Sequence, residues 1–581
     1  MRSHRADGRS TVEPFHDRIV AAVLADVDPA RARQIHRDLA DVLERADDPD
    51  IERLRVHLGA AGETRRAAAY TLQAAARASA ALAFERAAAL YREALTHADT
   101  SERPRLEVLL GEALASDGRG IAAAEAFLRA AAALDGEPAL ELLRRAGFER
   151  LRSGQIDEGI AVLRQVLASV DMRLAATRGG ALLALVGHRL ALALRGLRFR
   201  ERRESQVPPA LLRRADVAWS VGASGLGMVD DIAAGQFQSL ALRLSLQAGE
   251  PLRICRTLAG EVAFSAVGGT RSRRRTDRLL HTARTLAERL DQPHPRGTVA
   301  MTAGIAAYLG GRFRDAHEAS DAAEAILRRC PEGAWDLVNA QIFGLAAQVY
   351  RGELAAVGRR VAPLLREAEG RGNLYLLACL RGGPALLHTL ARGAVDEAAA
   401  SLAEAERRWQ TRGVPRYWQL KSRCKLDLYR GDPQAALARL EREWSDLGTL
   451  LRVQLVRVEA HHLRGRCLLA TGGPARRILA DIRAIEAQQT PWGDPLAQLL
   501  RAGLAARDRD PERAVQHLAA AAAGCEAAHM ALFAAAARRR RGELTGGSDG
   551  HRWRAAADAW LQAQDVADIP RLLATLTPGF P

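Results

Sequence analysis

The sequence predicts an all-α fold, a right-handed superhelical solenoid of antiparallel helix pairs. Three observations carry that prediction. The first is a glycine that opens three similar stretches, GELAAVGRRVAPLL at Gly352, GAVDEAAASLAEAE at Gly393 and GDPQAALARLEREW at Gly431. The second is the apolar spacing that follows. Five residues on stand Val357, Ala398 and Ala436; four further on stand Val361, Leu402 and Leu440; three further on stand Leu364, Ala405 and Glu443. A 4-then-3 spacing keeps side chains on one helix face, and glycine reaches the left-handed conformation that ends the helix before it. The third is composition. Aromatic residues make up only 4% of the 581 residues, and the abundant alanine favours helix over strand.

The same frame recurs. Toward the N-terminus it is Ala87/Tyr91/Ala94, Ala123/Phe127/Ala130 and Gly159/Leu163/Val166, with 36 residues between successive starts. Downstream it is Ala316/Ser320/Ala323, Ile478/Ile482/Ile485, Ala514/Leu518/Ala521 and Ala556/Trp560/Ala563. A unit recurring at such an interval marks a helical solenoid, and the small–large–small second helix is that of the tetratricopeptide repeat, whose period is about 34 residues. The chain is expected to be a lengthened, degenerate form of that repeat.

Taken in order, residues 1–11 are expected to be disordered. Residues 12–61 form a helical cap: Asp28 caps a helix that Pro29 opens, and a short helix over 50–61 ends near Gly62. Repeats fill 62–170. An irregular helical connector spans 171–300, with a helix from Arg173 to Leu197 and a glycine-containing turn in VGASGLGMVDD, after which Asp230 or Asp231 caps the next helix. Repeats resume over 301–537. Residues 538–581 are a charged linker, RRRRGELTGGSDGH, and a last capping helix that ATLTPGFP cannot prolong.

Composition excludes several classes. The net charge is +15, and 82 of the 84 basic residues are arginine, Lys421 and Lys425 being the exceptions. That bias favours solvated helix faces over a nucleic-acid surface. The six cysteines, 255, 330, 379, 424, 467 and 525, include no CxxC pair; buried free thiols in a reducing cytoplasm are the expectation. The first residues lack the apolar core of a signal peptide. The most apolar run, Ala181 to Leu194, is interrupted by His188 and Arg189 and falls short of the roughly 20 residues of a membrane span.

No catalytic constellation emerges. His36-Arg37-Asp38-Leu39 matches the opening of a kinase catalytic loop but lacks its asparagine and lies in a helical stripe. Gly222, Gly225 and Gly227 are followed by no lysine, so they form no phosphate-binding loop of that type. His317-Glu318 starts an HExxH-like string whose fifth residue is Asp321. His461 and His462 point to different sides of a helix and make a poor metal pair. No catalytic residue, metal ligand or cofactor site is therefore expected.

One resemblance reaches further. VEPFHDRIVAAVL, ARQIHRDLADVLE and ALAFERAAALYREAL resemble the region just after the nucleotide-binding domain of large bacterial signalling ATPases of the AAA or STAND class. Such ATPases are often fused to a serine/threonine kinase. FQSLALRLSLQAGEP, LDLYRGDPQAAL and the terminal TPGFP look like the helical-repeat region of the same kinase–ATPase proteins. The resemblance spans roughly residues 12–581 and implies a winged-helix remnant at 12–61, with the kinase and ATPase domains missing. It also implies a cytoplasmic, non-catalytic scaffold or sensor module that mediates protein–protein interaction in bacterial signal transduction. Two other readings stand beside it: a fragment of a kinase–ATPase without its catalytic parts, and a nucleic-acid-binding transcriptional regulator using the arginine runs 195–203, 271–278 and 538–541.

A solenoid binds along the surface lined by the first helix of each pair. In the regular half those helices carry Arg381, Lys421, Lys425, Arg457 and Arg464. They nominate an acidic peptide or protein face as ligand, on a partner that includes a separate kinase or ATPase chain; ordinary solvated charge accounts for the same residues equally well. At the N-terminus, Phe15, Ile19, Val23, Ile35, Leu39 and Val42 form an apolar stripe. It is expected to dock partly near Leu54 and Leu58 and to leave a residual sticky face.

Overall fold

A computed structural model describes residues 2–6, 9–13, 27–330, 333–409 and 414–580. The chain divides into two units, Met1–Ala146 and Gly147–Pro581. Apart from an N-terminal hairpin, the described elements are helical, as the repeat pattern requires. In the hairpin, strands Arg2–Ala6 and Arg9–Glu13 pair antiparallel with Arg2 opposite Glu13. It occupies the stretch expected to lack structure.

In the first unit, Asp28 accepts hydrogen bonds from the Ala30 and Arg31 amides and starts the helix Pro29–Glu44. Ala40 and Leu43 pack against Leu54, Leu58, Ala67 and Tyr70. Arg66 binds Asp41 and Glu44 across the same seam. The opposite face carries Ile35, Leu39 and Val42, exposed by 39%, 43% and 66%, so docking is one-sided. Phe15, Ile19 and Val23 lie outside the described residues. Helix pairs follow at Thr64–Ala80 with Phe84–His97 and at Arg103–Ser116 with Gly120–Ala132.

The second unit continues the pairs. Residues 171–300, read as an irregular connector, hold regular helices including Arg178–Arg195, Asp231–Ala248, Pro251–Ala266 and Arg273–Leu290. Asp230 is the cap, accepting from the Ile232 and Ala233 amides. From Pro293 onward each pair has a first helix and a second helix: Pro293–Leu309 with Phe313–Leu327, Ala334–Arg351 with Leu354–Gly370, and, later, Gln454–Ala470 with Ala475–Glu486. Between first and second helix the chain turns through one left-handed residue, at Gly311, Gly352, Gly393, Gly431 and Gly472 and, in the first unit, Gly118. At Gly352 the turn is closed by hydrogen bonds from Gly352 N to Val349 O and from Glu353 N to Gln348 O, the helix-ending pattern that left-handed glycine permits. Leu82 and Arg509 fill the same place without glycine. Five residues after the turn the second helix buries its first small residue, as at Ala87, Ala123, Ala316, Val357, Ala398, Ala436 and Ala514.

Two readings need correction. In the last pair, Ala556 is exposed and Trp560 only half-buried, while Ala557 and Leu561 are buried. The stripe sits one residue later in this helix, which starts after a glycine pair, Gly546-Gly547, and has no left-handed turn residue five positions ahead of Ala557. Residues 538–551 are no linker either: Ala531–Thr545 and Gly547–Gln562 are helices that run through them. The arginines there are good helix formers whose charges are taken up locally, Arg539 by Asp558, Arg540 by Glu543, and Arg541 by stacking 3.8 Å over Trp553.

Within the second unit, segments far apart in sequence also meet. Gln454 N donates to Val267 O at 3.1 Å and Ala567 N to Ala391 O at 2.8 Å. Arg571 Nε donates to Tyr429 O at 2.6 Å. Gly352 lies against the Leu532 backbone and the Trp560 ring, each 2.7 Å from where a Cβ would stand. No described helix is by itself long and apolar enough to cross a membrane. The bent pair Leu374–Arg381 and Pro384–Ala391 is apolar enough in combination, and most of its side chains are buried in protein.

Two glycine substitutions separate local turn strain from packing between distant segments. Gly431 is left-handed with open space around its missing Cβ, so Gly431→Ala is expected to cost only about 1–2 kcal/mol. Gly352→Ala adds a collision with Leu532 and Trp560 to the same strain and is expected to cost clearly more in thermal or denaturant unfolding. Equal losses would contradict the packing described.

Candidate functional site

First helices from Tyr308 to Leu576 turn their inner faces toward one another. Tyr308, Tyr350, Pro384, Lys421, Glu459 and Phe533 come from six of them and line one small cavity of about 60 Å³. Such helices are buried on two sides, against their own partners and against other first helices, which is why they carry polar groups in protected positions.

Glu459 is the centre of this cluster. It is 6% exposed and receives Lys421 Nζ at 2.8 Å, the Tyr417 hydroxyl at 2.7 Å and the Tyr350 hydroxyl. Burial pushes its carboxyl up, but the Lys421 charge and hydrogen bond, with the two phenols, outweigh burial and hold it below the usual carboxylate range. Lys421 and Lys425 stand one helical turn apart and line the same cavity. Lys425 has no carboxylate at ion-pair distance among the described residues. Burial, followed by the Lys421 and Arg466 charges, lowers its ammonium to about 7. Arg466, 4% exposed, gives Nη1 to Thr575 O at 3.0 Å and leaves Nε without a partner. His462, also 4% exposed, leaves Nε2 without one.

A second, larger space of about 530 Å³ adjoins the first, with Tyr308 and Trp418 in the wall of both. Its walls are aromatic: Trp219, Phe264, Trp335, Phe343, Tyr375 and Trp418. Trp335 packs on Tyr375 at 5.2 Å between ring centroids and Phe343 on Trp418 at 6.3 Å. Polar groups are few and mostly engaged: Asp336 takes the Thr298 hydroxyl at 2.5 Å, and Arg256 lies 4.4 Å over the Trp219 ring while binding Asp216. A mostly apolar space with a small number of fixed polar groups is the usual form of a ligand or peptide site.

Of the five basic residues nominated from sequence, Lys421 and Lys425 come together here and the other three do not. Arg381 binds Glu369. Arg457 donates Nε to Leu451 O at 2.7 Å. Arg464 binds Asp481 at 2.6 Å and stacks 3.8 Å over Trp444. Four of the five thus spend their charge inside the chain. The adjacent histidines part as their helix spacing dictates: His461 binds Asp481, and His462 faces the cavity. His317 lies 3.4 Å from Asp321. In the arginine runs, Arg275 binds Glu261, and Arg538 binds Glu526. Among the described residues no group of three or more His, Cys, Asp or Glu is placed to hold a metal ion.

Sequence reasoning missed Glu459, His462, Arg466 and the aromatic wall. The signal was present: 459, 462 and 466 fall on one helix face, as do 421 and 425, but their positions count only once first helices are known to face inward.

Two substitutions should move stability in opposite directions. Glu459→Gln leaves Lys421 buried without its counter-charge and is expected to cost about 3–5 kcal/mol. Lys425→Met removes a cation whose ammonium is disfavoured in the fold. Its cost to the native state is complete below pH 7 and fades as pH rises toward the ordinary lysine value of 10.5. The variant should therefore be more stable by on the order of 1–3 kcal/mol below neutrality, with a gain that shrinks in alkali. Melting curves from pH 6 to 10 check both signs.

No protein-family model matches the sequence, and no curated protein is significantly similar to it. Solved structures with extended likeness include the APC/C hetero-tetramer Cut9-Hcn1, at 12% identity over 88% of this chain and 93% of that one, with a TM-score of 0.38. Yeast Tom70 is 13% identical over 87% of this chain and 96% of its own, with a TM-score of 0.27. A structure of Naa15/Naa10 bound to HypK-THB is 13% identical over 96% and 94%, with a TM-score of 0.23.

Proposed function

We propose that the chain is a non-catalytic helical-repeat scaffold or sensor module that binds a protein partner in the bacterial cytoplasm and serves signal transduction. The observation that carries this reading is the aromatic-walled space between first helices. Aromatic side chains give large contact area at low entropic cost, and a space of this size takes the apolar side chains of a partner segment. The resemblance of the repeat segments to those of kinase–ATPase proteins supports a signalling context, with a separate kinase or ATPase chain as the partner class. The one-sided apolar helix Pro29–Glu44 offers such a chain a second contact. An acidic segment is compatible with Lys425, which has no carboxylate at ion-pair distance among the described residues.

The test is a displayed peptide library selected on the full chain, followed by affinity measurements. Selected peptides should carry aromatic or long aliphatic residues. Trp335→Ala should weaken them by about tenfold or more while helix content is unchanged. Peptides of random composition, or binding that ignores Trp335→Ala, would contradict the reading. Phosphoryl transfer by the purified chain would overturn its non-catalytic part.

A further inference from the structure

We propose that the small cavity between the first helices is a binding site for a small oxyanion, a carboxylate or phosphate group, held by Lys425 and Arg466 with His462. This goes beyond the partner-binding reading and does not depend on it.

The geometry points there through imbalance. Lys421, Lys425 and Arg466 bring three cationic groups, and His462 a fourth nitrogen donor, to a cavity in which Glu459 is the one carboxylate among the lining residues. Glu459 already accepts from Lys421 and two tyrosine hydroxyls. Two side chains more than nine-tenths buried, His462 and Arg466, line the cavity, and each has a ring or guanidinium nitrogen that meets no partner. Buried polar groups are normally satisfied, and an orphan costs free energy until something meets it. An apolar ligand leaves these groups as they are, and a cation adds to the repulsion. An oxyanion accepts from all three side chains and cancels the excess charge.

The surroundings of Lys425 give the site a second signature. Lys421 faces it from its own helix, Glu459, His462 and Arg466 from Gln454–Ala470, and the Tyr308 and Tyr350 phenols from their helices. The remaining walls are apolar, with Leu387, Leu496, Leu532 and Leu576. An anion seated there favours the ammonium form of Lys425, which is otherwise lowered to about 7. Binding near pH 8 is therefore expected to take up protons.

The experiment titrates the full chain with inorganic phosphate, and separately with acetate, against sodium chloride at equal ionic strength. Calorimetry is run in two buffers of different ionisation enthalpy at pH 8, and melting temperature is followed in parallel. Saturable binding of either anion, with proton uptake, is expected, and which of the two binds assigns the group as phosphate or carboxylate. Lys425→Met should weaken it about tenfold or more, and Arg381→Met, whose side chain lies outside the cavity, should not. No anion effect beyond chloride, equal binding by Lys425→Met, or binding without proton uptake would overturn the proposal. The proton measurement uses the unaltered chain and so does not depend on how a variant folds.

Discussion

The left-handed turn between the two helices of each pair is the constraint on which this structure depends. It closes the first helix with a pair of backbone hydrogen bonds and sends the second helix back along it. With a small buried residue five positions later, it fixes how closely the two helices approach. Glycine meets the turn at little cost. Leu82 and Arg509 show that the geometry is held even where the residue is unfavourable, so packing imposes the turn as much as the turn permits packing. Repetition of one pair geometry sets where the first helices of the second unit end up, facing one another.

That placement explains the unusual chemistry of the interior. A helix packed on two sides has few positions left for water, yet an Arg-rich chain with one charged residue in four cannot make every inner face apolar. Charge inside is therefore arranged. Glu459 is held by three donors, and Asp481, fully buried, by Arg464 and His461. Where the arrangement is incomplete, at one nitrogen each of His462 and Arg466, the protein departs from the rule that buried polar groups find partners. Such departures are expected where binding takes place.

Much of the fold was legible in the sequence because it rests on local rules. The glycine offset and the 4-then-3 stripe located the second helices, Asp28 was a recognisable cap, and Asp230 was one of two adjacent candidates for another. The stripe slipped by one residue at Ala556, in a helix that follows a glycine pair and has no left-handed turn residue five positions ahead of its buried Ala557. Residues 538–551 were mistaken for a linker because charge runs read as solvent-exposed, whereas Arg539 and Arg541 find Asp558 and Trp553 on the following helix and Arg540 finds Glu543 on its own. The candidate site was hardly legible. Lys421 and Lys425 were singled out as rare lysines on inward helices, but Glu459 and Arg466 join them only through tertiary approach of helices whose spacing no local pattern encodes.

The central claim is that the first helices of the second unit enclose a protected interior instead of lining an open groove. Tyrosine ionisation tests it most directly. Of the seven tyrosines, Tyr308, Tyr350, Tyr375 and Tyr417 are buried in that interior, where burial drives their phenols well above the ordinary value of 10. In an ultraviolet titration followed together with helix content, these four are expected to stay un-ionised until the chain unfolds in alkali. Reversible ionisation of all seven near pH 10, with the helices intact, would contradict the account.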